Sequence, residues 1–75
     1  MQPYRDLSGD SGVDSYESGV DWIRVRFKRG GTYFYDQVRP GPAHVERMKQ
    51  LAQSGDGLAT YINQYIRRDY SRREA

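Results

Sequence analysis

The seven residues from Trp22 to Lys28 constrain the fold more than any other stretch of the chain. Ile23, Val25 and Phe27 alternate with Trp22, Arg24, Arg26 and Lys28. Successive side chains of a strand point to opposite faces. One face is therefore apolar, and the other is cationic with a single indole. This pattern predicts an antiparallel strand with one face on a core and one face in water. Gly30-Gly31 follows, and adjacent glycines supply the positive φ that hairpin turns need. The next run, TYFYDQV, continues the sheet. Either register of the turn fits the letters, and a slip of one residue would exchange the faces. Tyr33 and Tyr35 inward is the preferred reading, because an inward Phe34 would take Thr32 and Asp36 with it.

Upstream, Val13 and Ser15 alternate with Asp14 and Tyr16, which predicts a short strand, and Glu17-Ser18-Gly19 predicts a turn. Downstream, Pro40 and Pro42 stop strand pairing, and Pro42 suits the first turn of a helix. The run from Ala43 to Ser54 places Val45, Met48, Leu51 and Ala52 on one helical stripe. Gly55 and Gly57 end that helix. A second helix is expected over 58–70, with Leu58, Ile62 and Ile66 inward. Tyr33, Tyr35, Tyr61 and Tyr65 are expected at the rim of the core, where Asn63 could serve a tyrosine hydroxyl. The expected fold class is α+β: a small three-stranded antiparallel sheet followed by two helices packed on one face, in the order β-β-β-α-α. Residues 1–11 are expected to form a flexible arm, 12–70 the single domain, and 71–75 a basic tail.

A chain of 75 residues makes one small domain with a thin core. It has no cysteine, which removes disulfides and thiol chemistry. His44 is the only imidazole, so a histidine metal cage is excluded, and no acidic ladder has EF-hand spacing. No metal or cofactor is expected. The serines lie in no nucleophile-elbow pattern, KRGGT lacks the ending of a phosphate-cradling loop, and the acids show no catalytic pairing. The expectation is a protein that is not an enzyme. No apolar run approaches the ~20 residues of a membrane span, and the first residues lack a signal-peptide layout. A cytoplasmic location, in a bacterial or phage-like setting, is therefore expected.

Charge is unevenly placed. Residues 1–21 carry one Arg against five acids, a net −4, whereas residues 22–75 carry eleven basic and five acidic side chains, a net +6. Ten of the twelve cations are arginines. Arginine's planar fork favours bidentate recognition of phosphate or carboxylate. Two clusters stand out. One is the wet strand face, Trp22, Arg24, Arg26 and Lys28, with Arg29 at the turn. An indole among cations can stack on a base while the arginines follow a phosphate backbone. The other is Arg67, Arg68, Arg72 and Arg73 around Tyr70. The bland reading of the first is a solvated face whose Arg stems cover apolar surface. For Arg67 and Arg68 it is favourable placement at a helix C-terminus.

The order of motifs resembles the KTSC domain. The matching residues are Tyr16, Val25, Phe27, Gly31, the Tyr33-Phe34-Tyr35 block, Val38, Pro40, Leu51, Ser54, Tyr61, Asn63 and Ile66, which span roughly residues 11–70. Where that family has Ser-Lys-Gly before its final helix, this chain has Ser54-Gly55-Asp56-Gly57, so an anion replaces a cation. Such domains occur alone in bacteria and phages and appended to some lysyl-tRNA synthetases. The resemblance carries no activity and implies RNA binding only by association. The functional expectation is a non-catalytic module that binds nucleic acid, RNA in preference to DNA. The alternative is a small protein-interaction or inhibitory accessory protein of a phage or mobile element, with which a homodimer is also compatible.

Overall fold

The computed structural model describes residues 1–9 and 11–74. The elements run β1 (Gln2–Pro3), β2 (Val13–Ser18), β3 (Trp22–Phe27), β4 (Gly31–Asp36), α1 (Pro42–Ser54), α2 (Leu58–Tyr61) and β5 (Arg72–Arg73). A π-helical stretch, Ile62–Ile66, continues α2. The five strands form one antiparallel sheet in the order β1-β2-β3-β4-β5. The expectation of three strands is thus corrected to five. Both added strands come from the segments expected to be an arm and a tail. Two-residue strands carry no readable periodicity, so only docking onto the longer strands reveals them. Asp10 of the arm and Ala75 of the tail lie outside the described residues.

The hairpin register is Ile23↔Tyr35, Val25↔Tyr33 and Phe27↔Gly31. It turns Tyr33 and Tyr35 to the face of Ile23 and Val25. Tyr35 is 1% exposed, and burial holds its phenol well above the usual tyrosine range. Three residues, Lys28 to Arg29 to Gly30, connect the two strands. In β2 the alternation expected from sequence is interrupted by a bulge between Val13 and Ser15. One extra residue shifts the faces. Val13 and Tyr16 therefore both enter the core, and Ser15 turns to the side of Arg26.

The helices cover one face of the sheet. Val45, Met48 and Ala52 of α1, with Leu58, Ile62 and Ile66, close on Val13, Tyr16, Ile23, Val25 and Tyr35. Gly55 ends α1 at φ 79, and its amide donates to the Leu51 and Ala52 carbonyls. Tyr4 seals the N-terminal side: it is 6% exposed, and its hydroxyl accepts from the Leu58 amide at 3.2 Å. The second helix stops at Ile66 rather than reaching Tyr70. Its last turn widens, with the Arg67 amide donating to the Ile62 carbonyl at 2.6 Å, and Arg67 itself takes φ 53. Tyr65, expected at the core rim, is 63% exposed. The widened turn keeps Ile62 and Ile66 inward and sends Tyr65 out.

Candidate functional site

The residues singled out in the sequence fall into two places on opposite sides of the sheet. The first is the face without helices. There Trp22 stacks on Phe34, with ring centroids 5.6 Å apart at 28°. The two rings sit on neighbouring strands because the register pairs Trp22 with Asp36 and Arg24 with Phe34. The Arg24 guanidinium lies 5.2 Å from the Trp22 ring and 5.1 Å from the Phe34 ring. Arg72 covers Phe34 from β5 at 4.3 Å. The aromatic platform is therefore roofed by arginines, a contact of the cation–π kind.

Those arginines are not free charges. Arg24 makes a two-point contact with Glu74, Nε to Oε1 at 2.5 Å and Nη2 to Oε2 at 3.2 Å. It also lies 3.4 Å from Glu17, its cross-strand partner. Arg72 donates to the same Glu74 at 2.9 Å. The Arg24 and Arg72 hydrogen bonds hold the Glu74 carboxyl below the usual glutamate range. Lys28 is taken by Asp6 at 3.3 Å. On this face Arg26 makes no ion pair among the described residues. A surface that looks strongly cationic in sequence is close to balanced once folded.

The second place is a pocket of about 280 Å³ on the helix side. It lies where the β3–β4 turn meets the end of the π-helical stretch. Arg29 and Gly30 of the turn line it together with Asn63, Arg67 and Arg68. Phe27, Tyr33, Tyr35, Ile62 and Tyr70 supply the apolar floor and sides. Tyr33 meets Tyr70 edge-on at 4.7 Å and Phe27 at 5.6 Å. Arg73 stands at the margin, its guanidinium 5.7 Å from the Tyr33 ring and its Nη2 donating to the Gly30 carbonyl at 3.3 Å. Among the described residues no carboxylate lines this pocket, and Arg29, Arg67 and Arg68 make no ion pair.

Of the nine residues expected to bind nucleic acid, the fold gathers Arg29, Arg67 and Arg68 in the pocket, with Arg73 beside it. It leaves Trp22, Arg24, Arg26, Lys28 and Arg72 on or beside the opposite face. Sequence reasoning missed the joining of Arg29 to Arg67 and Arg68, which are 38 and 39 positions apart in the chain. It set Tyr70 among the C-terminal arginines and Asn63 beside the tyrosines, but joined neither to Arg29. The one imidazole, His44, is engaged by the Tyr61 hydroxyl at 2.7 Å. Among the described residues no group of three or more His, Asp or Glu side chains is placed to hold a metal, and no helix is long and apolar enough to cross a membrane. No protein-family model, curated protein or solved structure matches the chain.

Proposed function

We propose that this chain is a non-catalytic module that binds single-stranded RNA and grips phosphate at the pocket of Arg29, Arg67 and Arg68. One observation carries the reading. Three arginines from two distant segments line one pocket that also has aromatic walls, and among the described residues no acid lines it. Like charges gathered along one pocket favour an anionic ligand. Guanidinium forks suit phosphate oxygens, and tyrosine faces suit bases. The resemblance to KTSC domains points the same way by association only. The π-helical stretch adds a further hint, since such widened turns are frequent at functional sites.

The charge balance argues for the pocket over the sheet face. Arg24 and Arg72 share Glu74, so a ligand there must first displace a carboxylate. The test compares labelled single-stranded RNA and duplex DNA across a salt series. Wild type stands beside Arg29→Ala/Arg68→Ala and Arg24→Ala/Arg26→Ala. Arg67 is left in place because its backbone conformation is special. We expect RNA binding that weakens with salt and is lost mainly in the pocket variant. Absence of binding at low salt removes the reading. Loss confined to the Arg24/Arg26 variant moves the site to the sheet face.

A further inference from the structure

We infer that the pocket takes a phosphate monoester, the terminal phosphate of an RNA strand, rather than a phosphodiester inside one. The inference rests on the RNA-binding reading above and makes its ligand specific.

The first argument is charge. An internal phosphodiester brings one negative charge and two free oxygens. A monoester brings about −1.5 to −2 charges and three strong acceptor oxygens. Arg29, Arg67 and Arg68 all line one small pocket, and among the described residues no acid shares its lining. The end of the helical stretch at Ile66 also faces this region. Its unsatisfied carbonyls contribute at most about half a negative charge. Three full positive charges outweigh that. The surplus suits a dianion and exceeds what one diester oxygen pair can use.

The second argument is size and shape. At about 280 Å³ the pocket lies at the small end of ligand sites, with room for about one nucleotide and not a duplex. The lining combines two chemistries. Arg29, Arg67 and Arg68 supply cations, and Tyr33 and Tyr70, which meet edge-on, supply aromatic surface. A terminal nucleotide can place its phosphate on the arginines and its base against a ring. Arg73, held by the Tyr33 ring and the Gly30 carbonyl, adds a further cation beside the lining residues.

The third argument is backbone. Arg67 adopts φ 53 and ψ −110, which an L-residue with a long side chain seldom occupies. Such strain persists only where the surroundings enforce it, and it gathers at ligand sites. Here it lies at Arg67 itself, directly after the π-helical turn that ends at Ile66.

The experiment uses one short single-stranded RNA prepared with a 5′-hydroxyl, a 5′-phosphate or a 3′-phosphate, together with adenosine monophosphate and inorganic phosphate as competitors. We expect a phosphorylated end to bind at least about tenfold tighter than the hydroxyl form, the scale of one charge-assisted contact. Arg29→Ala/Arg68→Ala should erase that difference, and inorganic phosphate should compete. Equal binding of all three RNAs overturns the inference and leaves RNA binding standing. If no RNA binds, both readings fall. If adenosine monophosphate binds as tightly as the phosphorylated RNA, the pocket recognises a mononucleotide rather than a strand end, and the inference falls.

Discussion

Arg24 and Glu74, fifty positions apart, clasp each other through two hydrogen bonds across the open face of the sheet. The pair joins the middle strand to the segment that carries β5. Backbone bonds from the Ser71 amide to the Phe34 carbonyl and from the Glu74 amide to the Thr32 carbonyl complete that attachment. Glu74→Gln should therefore loosen β5 while leaving the core intact. We expect faster hydrogen exchange at the Ser71 and Glu74 amides. Tm should fall by less than about 4 °C, since partly exposed pairs contribute little. Unchanged exchange would show that β5 is held by its backbone alone.

Acid should have the same effect. Glu74 is held below the usual glutamate value by the Arg24 hydrogen bond, with Arg72 assisting. Asp36 is held below the usual aspartate value, first by the Arg39 amide. A depressed carboxyl gives stability that is fully present above its ordinary value and lost as pH falls through its folded value. Those ordinary values are 4.5 and 3.8. Attachment of β5 should thus be constant from neutral pH to about pH 5 and weaken below it. Trp22 fluorescence, sensitive to the Phe34 and Arg24 packing, should report the change. Glu74→Gln should remove much of its pH dependence.

Tyr4→Phe tests whether the N-terminal segment belongs to the folded unit. The substitution removes the acceptor of the Leu58 amide. Leaving a buried amide without a partner costs about 1–2 kcal/mol. Leu58→Ala, at a fully buried position, should cost about 2–5 kcal/mol. That rivals the whole stability of a domain this small. Urea denaturation of the two variants measures both. A Tyr4→Phe protein as stable as wild type would mean that water serves the amide equally well.

Gly55→Ala should destabilise through two effects at once. Its φ of 79 strains any residue with a side chain, and the new Cβ would lie 2.7 Å from the Arg5 Cβ. Together they should cost about 1–3 kcal/mol. Gly19→Ala is a different probe. A Cβ there would meet the Trp22 Nε1 at 2.1 Å, so the indole must move off Phe34. Fluorescence should shift. RNA affinity should stay within about twofold if the pocket, not the sheet face, carries binding. A large loss of affinity would instead assign the aromatic platform a direct role.

The sequence by itself determined the parts whose signals are local and repeated. The alternation of Ile23, Val25 and Phe27 with Arg24 and Arg26 marks β3, because a pleated strand has period two. Val45, Met48 and Ala52 mark the buried stripe of α1 through helical spacing. The penalty for burying Asp36 favours Tyr33 and Tyr35 inward, and the register Ile23↔Tyr35 agrees. Tertiary structure alone decided the rest. Residues 2–3 and 72–73 are too short to show a period and become strands only by docking on β2 and β4. The bulge that turns Tyr16 inward comes from one unpaired residue that no alternation announces. The charge of a strand face also depends on what folds over it. Glu74 and Glu17 reach Arg24 from two other strand regions, so its charge is compensated there. Arg29, Arg67 and Arg68 line one pocket in which, among the described residues, no acid joins them. Coulomb energy depends on distance through space, and distance along the chain does not reveal it.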